Sequence, residues 1–248
     1  MLPTPSTRHI NLFDSIYEPA EDSFLLLDTL SSPAESKWLQ CRFQPDAPAP
    51  LVAEIGTGSG VVIAFLLAHT KVIFGTHQLL GLGVDVNHEA CEATTTTVLN
   101  ALTDNISMAI YLGSICADLC GCLIDESVDV LVFNPPYVPT PELPKLPSSG
   151  AIPQKSFDND SHLLSLSYAG GRKGMETTSR LLDQLPRVLS PRGVAYIMFC
   201  AQNEPAEVKA WILREWPEWN VETVGSSGKK AGWESLEILR IWRVTTTK

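Results

Sequence analysis

Apolar residues fall along this chain in short blocks whose spacing changes from block to block, and the order of those blocks predicts strands and helices taking turns. Leu51-Val52-Ala53-Glu54-Ile55 leads into Gly56-Thr57-Gly58-Ser59-Gly60 and then Val61 to Ala68, which reads as strand, glycine turn and helix. Leu79 to Asp85 is a second strand, after which Asn87 caps a helix from His88 to about Ala101. Ile106 to Leu112 is expected as the third strand. Val128 to Phe133 is the fourth, apolar enough to be buried on both faces. Further on, a helix over Met175 to Leu189 precedes a strand over Val194 to Cys200, and a helix over Glu204 to Trp216 precedes two more apolar runs. Those runs, Trp219 to Val224 and Leu236 to Val244, look like an antiparallel pair joined by the Gly/Lys loop 225–232.

Before the first strand, Pro19 opens a helix near Ala20, with Phe24, Leu25, Leu26, Leu27 and Leu30 on its apolar face. Ser31 to Pro50 reads as a variable, Pro-containing connector, and Val138 to Ser161, rich in Pro and Ser, as a mobile flap. No internal repeat is evident. The pattern predicts an α/β chain of one domain overall, with an N-terminal extension over 1–50 and a doubly wound, Rossmann-like sheet over 51–248.

Chemistry concentrates at the carboxyl ends of the predicted strands, where open α/β sheets keep their sites. Asn134-Pro135-Pro136-Tyr137 directly follows the fourth strand. Two prolines force the chain out of the sheet in an extended, rigid form, which fixes one amide and its neighbouring carbonyls over the crevice. Such a group accepts both hydrogens of a substrate –NH2, and Tyr137 offers a ring for a flat group to pack on. Read alone, the segment has a blander alternative, a strand ending in a Pro-Pro turn with a structural asparagine. The glycine turn is G-x-G-x-G, with Val61 where a dinucleotide fingerprint has its third glycine and the candidate acid, Asp85, 29 residues past Gly56. These departures argue against a pyrophosphate. Glu54 suits an ammonium, and Asp85 is placed to take both hydroxyls of a ribose or else to cap a turn. An adenosine-containing ligand without a pyrophosphate meets all three features, and S-adenosylmethionine is one.

Composition narrows the partners. The chain has 248 residues, 44% apolar and 19% charged, ample for a sizeable core, and no apolar run approaches the length of a membrane span. A soluble, intracellular protein is expected. The net charge of −10, from 18 Lys and Arg against 28 Asp and Glu, leaves no evident basic face for nucleic-acid phosphates, so a protein or peptide substrate is more consistent. The only adjacent basic pairs are Arg172-Lys173 and Lys229-Lys230. Six scattered cysteines suit a reducing compartment, and Cys116, Cys120 and Cys122 form C-x3-C-x-C, which is not a standard zinc spacing. No metal is expected.

Four segments carry a resemblance: Tyr17-Glu18-Pro19-Ala20-Glu21-Asp22-Ser23-Phe24-Leu25-Leu26-Leu27-Asp28, Glu54 to Val62, Val130 to Val138, and Ala169-Gly170-Gly171-Arg172-Lys173-Gly174. Through them the chain resembles the class I S-adenosylmethionine-dependent methyltransferases and, within these, the HemK-like glutamine N5-methyltransferases of the eukaryotic and archaeal branch, which modify the class-1 translation termination (release) factor. Asn-Pro-Pro-Tyr alone also occurs in adenine methyltransferases; the first and last segments are more specific. The resemblance implies a seven-stranded sheet of order 3-2-1-4-5-7-6 and S-adenosylmethionine as cofactor. It implies that Asn134 and the Pro135 carbonyl hold the substrate amide, with Pro136 and Tyr137 beside it. Gly56, Gly58, Glu54 and Asp85 would contact the cofactor, and Tyr17, Glu21, Asp22 and Ser23 would close over it. Asp118 has the family's spacing for an adenine contact, with Ser114 as competitor. The resemblance further implies a cytoplasmic enzyme, with the nucleus as a second compartment, paired as a heterodimer with a small zinc-binding activator; the apolar run Asn105 to Leu112 is its expected docking edge.

An amide nitrogen is a poor nucleophile that no ordinary side chain deprotonates at neutral pH, so the site needs acceptors for its hydrogens rather than a general base. Two enzymatic alternatives stay open: an adenine-N6 methyltransferase acting on nucleic acid, and protein lysine methylation as a secondary activity. A non-enzymatic cofactor-binding protein is the third, although it leaves Asn134 to Tyr137 without a purpose.

Overall fold

Val128–Phe133 is buried at every residue, Val130 and Val132 facing one hydrophobic cluster and Leu131 and Phe133 another. A strand with no wet face belongs in the middle of a sheet covered on both sides. In the computed structural model, which describes residues 2–10, 15–44, 46–105, 107–147, 157–228 and 235–244 (with the side chains of 157–159 outside that description), this strand is β4 of a seven-stranded sheet. The others are β1 (Leu51–Ile55), β2 (Leu80–Asp85), β3 (Ile110–Cys116), β5 (Leu189–Cys200), β6 (Trp219–Ser226) and β7 (Leu236–Arg243). Their order is β3-β2-β1-β4-β5-β7-β6, as expected. The first five strands run parallel, and β7 is antiparallel to both β5 and β6.

One face of the sheet is covered by α1 (Glu21–Leu30), α2 (Pro33–Arg42), α3 (Val61–Ala68), α4 (Thr70–Phe74) and α5 (His88–Asp104). The Val138–Ala169 stretch ends in α6 (Phe157–Tyr168), and the opposite face carries α7 (Glu176–Leu182), α8 (Leu185–Val188) and α9 (Pro205–Glu215). Strand order reverses between β1 and its neighbours β2 and β4, which opens a crevice beyond their carboxyl ends.

Four expectations need correction. The connector after Ser31 contains α2: the Ser32 hydroxyl accepts from the Glu35 amide, Pro33 occupies the first turn, and Glu35 is tied to the sheet by Arg240 and Tyr196. The third strand begins at Ile110 rather than Ile106 because α5 continues to Asp104, past Ala101. Ser107 then turns the chain, its hydroxyl donating to the Leu67 carbonyl and accepting from the Ala109 amide; Ile106 itself lies outside the described residues. The helix expected over Met175 to Leu189 is two, α7 and α8, since Pro186 has no N–H to continue the ladder. Strand β5 accordingly starts early, at Leu189. Of the flap over 138–161, residues 148–156 lie outside the described residues, as do 229–232 of the 225–232 loop, whose first two residues belong to β6; the flap's end, from Phe157, is already helical.

Candidate active site

A cavity of about 320 Å3 sits at the carboxyl ends of β1, β2 and β4, a size in the usual range for a small-molecule site. Its floor is the glycine turn. Gly58 has φ +52°, and a Cβ there would meet nothing within 4 Å, so this backbone faces open cavity. Gly60 has φ +75°, and its Cβ would lie 2.6 Å from the Thr94 Cα, so α5 packs directly onto the turn. Thr94 and Thr97 lock that contact by donating to the Gly58 and Ser59 carbonyls at 3.2 and 2.6 Å.

Two buried carboxylates flank the floor. Asp85 accepts the Gly58 amide at 2.9 Å and the Asn87 amide at 2.8 Å, and burial raises its pKa against the pull of these bonds. Glu54 accepts the Ile63 amide at 2.9 Å in the first turn of α3. Burial pushes its carboxyl well above the usual range, with a further push from the Asp85 charge. A cation beside Glu54 would be matched by its ionised form.

The far wall is the Asn134–Tyr137 strap. Asn134 Nδ2 donates to Asp22 Oδ2 at 3.0 Å, and the Tyr137 hydroxyl donates to the same oxygen at 3.4 Å. Asn134 Oδ1 is buried and has no hydrogen-bond partner among the described residues. A buried carbonyl oxygen without a donor is costly unless a ligand supplies one. The strap is backed by the Ala169–Gly174 segment, bridged to it at Val138 and Ala169. There the Cβ of residue 174 would fall 1.9 Å from the Tyr137 carbonyl oxygen, so Gly174 is required by close approach. The motif at 169–174 therefore shapes the strap from behind.

Tyr17, Asp22, Ser23, Glu54, Gly56, Gly58, Asp85, Asp118, Asn134, Pro136 and Tyr137 all line the cavity. Glu21 does not: it points to solvent from the first turn of α1. Pro135 is buried behind the wall rather than in it. Of the two adenine candidates, Asp118 lines the cavity and is paired with Arg180, whereas Ser114 lies within β3, bonded to the Tyr111 hydroxyl and outside the cavity wall. Two contributors escaped the sequence reading. Asn203, its Oδ1 fixed by the Cys200 amide at 2.7 Å, donates to the Tyr137 and Lys173 carbonyls at 3.0 and 2.9 Å and ties strap to backing. Asn87, besides capping α5, donates to the Ser15 carbonyl at 2.8 Å and holds the N-terminal segment at the cavity mouth. Neither contact has a local signature.

No protein-family model matches the chain. Among curated proteins it is 35% identical to the eRF1 methyltransferase catalytic subunit mtq2 of Schizosaccharomyces pombe, over 100% of this chain and 98% of that one. The chain belongs to the HemK-like methyltransferase family. It is 34% identical to human Methyltransferase HEMK2, over 96% of this chain and 95% of that one, and 29% identical to a putative protein N5-glutamine methyltransferase of Methanocaldococcus jannaschii, over 95% of each. Among solved structures, the catalytic domain of human METTL16 in complex with a MAT2A 3'UTR hairpin superimposes with a TM-score of 0.56 at 15% identity, covering 94% of this chain and 73% of that one. At that identity the likeness establishes the class I methyltransferase fold and nothing finer. This HemK-like protein is an S-adenosylmethionine-dependent methyltransferase, and its cavity fits the cofactor in its open glycine floor and its acidic flanks.

Proposed function

We propose that this HemK-like enzyme methylates the side-chain amide nitrogen, N5, of a glutamine, and that the glutamine lies in the Gly-Gly-Gln segment of the class-1 translation termination factor. The relatives' names, eRF1 methyltransferase catalytic subunit and release factor glutamine methyltransferase, support that substrate. The observation that carries the chemistry is Asn134 Oδ1, a buried acceptor without a donor at the strap where a planar –NH2 group would enter.

S-adenosylmethionine, when bound, supplies a methyl group on a sulfonium. Gly56 and Gly58 would lie against it, Asp85 would take its ribose hydroxyls, Glu54 would meet its ammonium, and Tyr17, Asp22 and Ser23 would cover it. Asp118, shared with Arg180, is the candidate for its adenine amine. On the substrate side, Asn134 Oδ1 would accept one amide hydrogen, with Tyr137 packing beside it; the Pro135 carbonyl, behind the cavity wall, is left out of that contact. That acceptor would favour a pyramidal nitrogen with its lone pair free to meet the donor methyl, and would gain strength as positive charge grows there. No base is needed before transfer. The proton would then pass to water from a nitrogen made acidic by its new charge. The acid excess of the chain leaves a nucleic-acid substrate without a cationic track.

The same reading extends to a partner and a place. Edge strand β3 exposes Ile110, Leu112 and Ile115, with Met108 beside them at 66% exposure, which supports pairing with a small zinc-binding activator as a heterodimer. A cytoplasmic enzyme, with access to the nucleus, follows from a translation-factor substrate. Incubation with labelled S-adenosylmethionine and a Gly-Gly-Gln-containing termination factor, with and without the activator, followed by mass spectrometry, tests the proposal. Label on the glutamine side chain is expected; label on lysine or on RNA alone would overturn it.

A further inference from the structure

A primary amide is nearly symmetric in shape, so rotating its end group by half a turn exchanges an acceptor for a donor with little steric change. For Asn134 the two states are opposite in function: Oδ1 toward the substrate accepts its hydrogen, and Nδ2 in that place repels it. Something must choose between them. We propose that Asp22 makes the choice, acting as a positioning residue that holds Nδ2 and leaves Oδ1 facing the substrate; this rests on the glutamine reading above.

Asp22 Oδ2 accepts from Asn134 Nδ2 at 3.0 Å and from the Tyr137 hydroxyl at 3.4 Å, while Asp22 Oδ1 accepts from the Ser23 amide at 2.6 Å. Asp22 is only 4% exposed, so bulk water does not relieve a wrong pairing. Turning the amide over would set Asn134 Oδ1 against a carboxylate oxygen, acceptor against acceptor, and would forfeit a charge-assisted bond. The carboxylate thus holds Asn134 first, its bond to Tyr137 being the longer of the two. It also reaches them from the first turn of α1, a different part of the chain from β4, so the substrate acceptor is set only when the N-terminal segment is seated over the cavity.

The test uses the full chain with its activator and a Gly-Gly-Gln peptide. In Asp22→Ala the amide is free to turn, and kcat is expected to fall roughly 10- to 100-fold, the equivalent of one charge-assisted hydrogen bond. Because Asp22 also lines the cofactor cavity, kcat is read at saturating S-adenosylmethionine, with calorimetry recording any loss of cofactor affinity separately. The deciding measurement is the cycle with Asn134→Ala: a residue acting through Asn134 has no further effect on kcat once Asn134 is gone, whereas an independent structural role multiplies. Multiplicative losses, or a loss confined to cofactor affinity with saturated kcat unchanged, would overturn the proposal. If Asp22→Ala does not fold, Asp22→Asn decides, because a second amide satisfies either orientation of Asn134 and should lower kcat while keeping the melting temperature; wild-type kcat in that variant would refute it. A wild-type enzyme inactive on the glutamine peptide would sink the glutamine reading itself, a separate result.

Discussion

Two glycines in one turn should fail in opposite ways when given a methyl group. Gly58 and Gly60 both have positive φ, +52° and +75°, so alanine at either costs about 1–2 kcal/mol of backbone strain. At Gly60 the new Cβ would sit 2.6 Å from the Thr94 Cα and 2.9 Å from its Cβ. Helix α5 cannot back away freely, because Thr94 and Thr97 are hydrogen-bonded to the same turn. Overpacking of this kind adds about 1–3 kcal/mol. Gly60→Ala should therefore lose roughly 2–5 kcal/mol, which at about 2–4 °C per kcal/mol for a chain of this size lowers Tm by some 4–20 °C. Gly58→Ala meets nothing within 4 Å, so its Tm should drop only by the strain, about 2–8 °C. Its methyl group instead occupies the cavity floor. Scanning fluorimetry without and with S-adenosylmethionine separates the two: wild type at about 100 times Kd gains about 2.7 kcal/mol from the ligand, and Gly58→Ala should lose most of that gain. If Gly58→Ala keeps the full ligand-induced shift, the glycine turn is not the cofactor floor and the assignment of the cavity fails.

Asn134→Ala is expected to keep cofactor binding by calorimetry and to lose roughly 10²- to 10³-fold in kcat, the scale of one preorganised polar contact to the reacting group. Glu35→Ala strands Arg240, which it meets at 2.8 Å with both side chains 6% exposed. With Glu222 still beside Arg240, the loss should be about 3 kcal/mol, at the low end of the range for breaking one side of a buried pair, and thermal denaturation reads it as a fall in Tm with activity retained at low temperature. Glu54 couples the site to pH. Burial raises its folded pKa above the ordinary 4.5, so the folded chain holds a proton that the unfolded chain has already lost; this contribution to stability is full at low pH and erodes as pH climbs from about 4.5 toward the raised value. An ammonium arriving beside Glu54 favours the ionised form. Cofactor binding should then release protons, seen as a binding heat that changes with the ionisation heat of the buffer; a heat independent of buffer would refute it.

What the sequence disclosed depended on how strongly burial constrains each stretch. Strands β1, β2 and β4 are covered on both faces, so their apolar runs stand out against the turns, and Asn87 announces the helix it caps. Strand β3 lies at the sheet edge with exposed and half-buried residues mixed, so no face imposes a pattern and its start was misplaced by four residues relative to Ile110. Helix α2 was legible in Ser32-Pro33 with Glu35 three residues past the serine, a start signal masked by the surrounding prolines. The site's acids and glycines showed themselves through strand ends. Asp22 and Asn203 did not reveal their roles, because their partners are 112 and 66 residues away in sequence and only the fold brings them together.

The parallel bridge between Val138 and Ala169, with Gly170 donating to the Val138 carbonyl at 2.8 Å, works as a clasp on the excursion between them. Its two ends are pinned to each other, and Leu143, Leu146, Leu163 and Leu166 between them line the same cavity as Asn134, so a change of length within the excursion would reshape that wall while Val138 stays held. Lengthening a loop whose ends are already held together costs little, about 0.6 kcal/mol per doubling. The clasp therefore lets the cavity wall vary in length while the strap's exit from β4 keeps its anchor.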